Sequence, residues 1–183
     1  HLAGYLDAIQ GYWYFMKGDN LRAAERMRKA GSCLPAPDLP TRVFVAIVLA
    51  AAIGVEGDLE GGINVLTEAL QVIADPQLSF LAILVLCELA GLQILSGRLK
   101  QVMATCQEAL ELALEYERLM GIPPPNIGFA YARLSYVLRE QNKLEVSIHH
   151  AQEGVKISRN WGQKDSLCVS YAYLAASFQA AGR

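Results

Sequence analysis

The chain has 183 residues, 53% of them hydrophobic and only 19% charged, which is enough apolar material for a large core and excludes a disordered segment. A net charge of -2 and a pI near 5.9 give no general attraction to nucleic acid. The longest apolar run, Val43 to Val55, falls well short of the roughly 20 residues that span a bilayer.

Taken in order, Leu2 to Lys17 reads as a helix with Leu6, Ile9, Trp13 and Met16 at helical spacing, which leaves Tyr5, Tyr12, Tyr14 and Phe15 on its exposed half. After Gly18, Asp19 caps a second helix to Ala30, whose Arg22, Arg26, Arg28 and Lys29 alternate with Glu25 as a solvated face. Gly31 to Pro40, with prolines at 35, 37 and 40, breaks that helix. Thr41 caps the next, which runs to Glu56, and Asp58 opens its partner, weakened by Gly61 and Gly62.

Asp75 and Pro76 start a third hairpin, which ends in the helical run Thr105 to Leu119. A stiff connection, Gly121 to Asn126 with three prolines, leads to a helix ending near Gln141, and Lys143 to Trp161 forms its partner before Gly162. Ser166 to Ala181 is a further helix with no second helix after it, so the chain is expected to be a fragment, as its start at His1 rather than methionine also suggests.

These hairpins repeat. The turn glycine stands at Gly18, Gly57, Gly97 and Gly182, with Asn142 in the fourth copy, so the spacings are 39, 40, 45 and 40 residues. Eight residues before it come Leu49, Leu89, Leu134 and Leu174, and seven before it Gly11, Ala50, Ala90, Ser135 and Ala175. Five after it come Ala23, Gly62, Val102 and Ser147, and twelve after it Ala30, Ala69, Ala109 and Gly154. Met27, Leu66, Cys106 and Ala151, nine after it, fill the larger gap between those small residues.

This pattern resembles the tetratricopeptide repeat, although the period exceeds that repeat's usual length of about 34 residues. The fold expected is all-α, a right-handed superhelical array of antiparallel helix hairpins with about four and a half repeats. It forms a single domain over 1–183, with repeats 1–38, 39–75, 76–121 and 122–162 and a lone helix over 163–183.

Residues Asn126 to Gly182 carry a narrower resemblance. Gly128, Phe129, Ala130, Leu134, Leu138, Glu140, Asn142 and Leu144, then His149, Ala151, Gly154, Ile157, Ser158, Arg159, Trp161 and Gly162, are similar to the helical-repeat domain of MalT-like, LuxR-type transcriptional regulators. That resemblance implies a large cytoplasmic regulator with an ATP-binding switch of the STAND type and a C-terminal helix-turn-helix module. Both lie in separate domains, so no cofactor is expected in this fragment, and DNA is bound only elsewhere. The array itself would receive a small-molecule inducer or a regulatory protein and support self-association; the alternative is a general protein-interaction scaffold.

No acid, base and nucleophile converge at catalytic spacing, so no enzyme is expected. His149 and His150 are adjacent with no third ligand at i+4, which argues against a metal site. The cysteines at 33, 87, 106 and 168 have no paired spacing and read as free thiols, buried as small apolar residues.

In tetratricopeptide arrays the first helix of each pair lines the concave face at thirteen, ten, six and three residues before the turn. Carried over, that resemblance selects Tyr5, Tyr12, Phe15, Phe44, Phe129, Tyr136 and Arg139, with Glu88, Arg133 and Tyr173 beside them. Aromatic faces with nearby guanidinium groups suit a flat or sugar-like ligand that carries a carboxylate or phosphate.

Overall fold

The computed structural model describes residues 2–73 and 78–183. Among them every regular element is helical: α1 Leu2–Met16, α2 Asn20–Cys33, α3 Leu39–Val55, α4 Leu59–Gln71, α5 Ser79–Leu95, α6 Leu99–Met120, α7 Ile127–Glu140, α8 Leu144–Asn160 and α9 Lys164–Ala180. They fall in two compact units, His1–Asp75 with α1 to α4 and Pro76–Arg183 with α5 to α9. The expected hairpin start at Asp75 and Pro76 lies outside the described residues.

The turns follow from backbone chemistry. Gly97 has φ 73°, and Asn142 adopts φ 58° at the equivalent place, a left-handed conformation in which asparagine is the best substitute for glycine. Asp19, Asp38 and Asp58 each accept a backbone N–H three residues on, from Arg22, Thr41 and Gly61, and so cap α2, α3 and α4.

Helix α9 begins at Lys164, two residues before the expected Ser166, and the boundaries of α3 and α2 differ for physical reasons. The cap of α3 is Asp38 rather than Thr41, because Pro40 sits in the first helical turn, where its missing N–H has no partner to lose. Helix α2 continues through Gly31 to Cys33, since one glycine weakens a helix but does not end it.

The period-locked small residues form the inner faces. Ala23, Val102, Ala30 and Ala109 are completely buried, as are Ala90 and Ser135. In the first unit Met27, Ala30 and Leu34 pack with Ala8 of α1 and with Val45 and Val48 of α3. In the second, Ser135 of α7, Ser147 of α8 and Ser177 of α9 bond one another through their hydroxyls at 2.7 to 3.3 Å.

Helix α1 is turned the other way from the sequence reading. Its Gly4, Ala8 and Gly11 face inward, while Leu6, Ile9, Trp13 and Met16 are exposed. A Cβ on Gly4 would stand 3.1 Å from the Cys33 backbone and one on Gly11 3.1 Å from Met27. Close approach to α2 therefore selects the small-residue face of α1, and Tyr5 and Phe15 pack at the margin of the core.

Candidate functional site

In the second unit, six of the residues selected from the sequence form one connected strip. Glu88, Arg133 and Tyr173 all stand nine residues before their turn, on α5, α7 and α9. The Arg133 guanidinium is buried and donates through Nη1 to the Cys87 carbonyl, with Nη2 3.8 Å from Glu88 Oε2. Gly91 makes room for it, since a Cβ there would lie 2.9 Å from Nη2.

The same guanidinium covers the Phe129 ring at 4.9 Å, and one turn further along α7 the Arg139 guanidinium covers Tyr136 at 5.1 Å. Tyr136 in turn meets Tyr173 of α9 with ring centroids 5.5 Å apart. Arg139 is held from its other side by Glu140 at 2.9 Å.

Burial raises the Tyr173 hydroxyl above its ordinary range, and the nearby Tyr136 adds to this while Arg133 and Arg139 oppose it. Tyr173 therefore stays a neutral hydrogen-bonding group at physiological pH. Both guanidinium groups face a carboxylate, but Arg133 is buried and acts as a brace for Phe129, whereas Arg139 is half-buried and so the better placed of the two to meet an anion.

The first unit gathers a smaller aromatic group. Tyr12 meets Phe44 edge to face at 5.4 Å, beside a cavity of about 210 Å³ that Tyr5, Ala8, Ile9 and Thr41 also line. The Tyr5 hydroxyl donates to Asp38 Oδ2 at 2.8 Å, which ties the start of α3 to α1. Phe15, selected with them, packs against both core clusters of this unit.

The thiols divide into two kinds. Cys87 and Cys106 are buried as expected, and desolvation pushes both up to about 12, so they are inert. Cys33 and Cys168 are exposed instead, Cys33 because it closes the extended α2. Among the described residues no group of three or more His, Cys, Asp or Glu side chains could hold a metal ion, and no helix is long and apolar enough to cross a membrane.

The proline-bearing loop before α7 is fixed by two side chains: Trp161 Nε1 donates to the Pro123 carbonyl at 3.1 Å and Gln163 Nε2 to Asn126 Oδ1 at 2.7 Å. The Pro-rich loop and the Trp-Gly ending, the latter part of the family resemblance, are thus partners in one structural device. The family model for the MalT-like TPR region matches residues 4–183. The chain belongs to that family.

No curated protein matches the chain significantly. Solved structures of the MalT-like TPR chain's fold include BtubC (BKLC) from P. vanneervenii, with TM-score 0.72, 18% identity and coverage of 98% of this chain and 74% of that one. Two crystal structures of a putative kinesin light chain from Podosopora anserina with nearly identical TPR-like repeats also match. Their TM-scores are 0.68 and 0.64, at 18% identity, covering 100% and 97% of this chain and 89% and 86% of theirs. At that identity the likeness establishes the helical-repeat fold.

Proposed function

We propose that this chain is the signal-receiving and partner-binding segment of a cytoplasmic MalT-like, LuxR-type transcriptional regulator. It takes an inducer or regulatory protein on the strip formed by α5, α7 and α9 and supports self-association. ATP and DNA binding belong to separate domains of the same regulator. The reading rests on the Arg139, Tyr136 and Tyr173 ladder, where two aromatic faces and a guanidinium stand together. Such a surface stacks a sugar or flat ring and pairs with an anionic substituent.

The test is thermal unfolding of the chain against sugars, organic acids and aromatic metabolites, with Tyr136→Ala and Arg139→Ala as controls. A saturable upward shift that both variants remove supports the ladder as the effector site. Absence of any shift, or a shift that both variants retain, moves the function to protein contacts.

A second reading, a general TPR-type scaffold, is favoured by α1. Its Leu6, Ile9 and Trp13 stand twelve, nine and five residues before the turn, where α3 carries Val45, Val48 and Ala52. Those three are buried in the clusters that α2 completes with its alanines, whereas Trp13 is 56% exposed. A helix with small residues on one face fits this stripe. Self-association through it would make sedimentation concentration-dependent and would be lost in Trp13→Glu; concentration-independent sedimentation of the unsubstituted chain removes it.

A further inference from the structure

Away from the aromatic residues, the first unit holds a second and larger cavity of about 400 Å³ between α2 and α4, floored by α3. Its size lies within the range of small-molecule sites. Its wall is mostly apolar, with Gly31, Ala46 and Val72 among the lining, and Arg28, Arg42 and Glu68 are its charged members.

The repeat register explains why the space exists. Thirteen residues after the turn stands Gly31 in the first unit and Leu110 in the second; eleven before the turn stand Ala46 and Tyr131; fifteen before it, Arg42 and Ile127. The corresponding groove of the second unit, between α6 and α8, is lined by Leu110, Ile127 and Tyr131 and has a volume of only about 150 Å³. Large side chains thus occupy in one unit what the other leaves open.

The charges are also distinctive. On α2, Arg22, Arg26 and Lys29 pair with Asp19, Asp7 and Glu25 at 3.3, 2.8 and 2.7 Å. Among the described residues Arg28 and Arg42 have no carboxylate within ion-pair distance, and Glu68 leaves the cavity lining with a formal charge of +1. Apolar walls under a net positive rim, on which Arg28 is exposed and Arg42 half-buried, favour an apolar molecule with a single negative group.

We propose that the α2, α3, α4 cavity is a binding site for a small amphiphilic carboxylate, its tail against Ala46 and Val72 and its head group at Arg28 and Arg42. This site is independent of the effector strip on α5, α7 and α9.

Octanoate is the probe, with 1-octanol as the same tail without charge, and binding is read by titration calorimetry on the whole chain. Octanoate should bind saturably and about tenfold more tightly than octanol. Arg28→Ala with Arg42→Ala should weaken octanoate about tenfold and leave octanol unchanged. Gly31→Leu with Ala46→Tyr, which copies the second unit into the first, should abolish both, while Tyr136→Ala with Arg139→Ala should change neither. A Cβ at Gly31 meets only Val45 Cγ1, at 3.8 Å, so that position has room for a side chain. The arginine pair still decides the question if the filled variant fails to fold. Absence of octanoate binding, binding that survives filling, or binding lost with Tyr136 and Arg139 would overturn the proposal.

Discussion

Nine residues after the turn, the first unit carries Met27 and Leu66 while the second carries Cys106 and Ala151, and all four are buried. In the first unit a long side chain spans the gap between hairpins, as Met27 does between α1 and α3. In the second the helices close in on one another instead. A Cβ on Gly128 would stand 2.3 Å from Ser158 Oγ, and one on Gly154 3.0 Å from Ser170 Oγ. Filling with adjustable side chains leaves the cavity beside α2, whereas direct approach fixes the spacing of α7 and α9 that the Tyr136 and Tyr173 contact requires.

The largest effect should come from removing the filler. Met27→Ala should cost about 2–5 kcal/mol, because a completely buried side chain is lost and rigid helices refill the space only in part. Trp13 and Trp161 lie in different units, so denaturant titrations of single-tryptophan variants can follow each unit separately. The loss should appear at Trp13; a cost well under 1 kcal/mol would mean that the two hairpins of the first unit also meet by backbone approach, as α1 and α2 do within one hairpin, and the contrast would fail.

The second unit should show the opposite sensitivity. Gly128→Ala should destabilise it by about 1–3 kcal/mol, since the added methyl group drives into Ser158 and the Gly154 carbonyl. Adding Ser158→Ala should restore part of that loss, read as coupling in a double-mutant cycle. By contrast Gly31→Ala in the first unit should gain about 0.5–1 kcal/mol from helix propensity, because nothing lies closer to the new Cβ than 3.8 Å. Equal costs at Gly128 and Gly31 would show that the two units pack alike.

Much of this was legible in the sequence because turns and contact faces follow local rules. A left-handed turn needs glycine or asparagine, and small residues must recur wherever helices touch, so the hairpins and their inner positions could be counted. The orientation of α1 could not be read that way. Both of its stripes are apolar, and periodicity does not say which one meets α2; Gly4, Ala8 and Gly11 were the available signal. The strip was legible as a set of aromatic and charged residues, but the role of Arg133 depended on a contact across helices. Its trace in the sequence is that Glu88, Arg133 and Tyr173 share one register, with Gly91 leaving space beside them. The larger cavity lay hidden under Gly31, which reads as a helix breaker until the length of α2 is known.

The smallest effect expected concerns a single position, eight residues after the turn, where the first unit has Val65 and the second His150. His150 is half-buried beside Tyr131, with ring centroids 5.8 Å apart, and its Nδ1 is enclosed without a hydrogen-bond partner among the described residues. Burial first, and His149 second, lower its pKa below 6.5. Below pH 6.5 the unfolded chain therefore binds a proton that the folded one refuses, so stability present at neutral pH is lost as pH falls from about 6.5 toward the lower folded value. His150→Val, which gives the second unit the residue of the first, should flatten that slope when Trp161-detected stability is compared between pH 7 and pH 5. An unchanged slope would place the acid sensitivity elsewhere and leave His150 as an ordinary packing residue, as Val65 is.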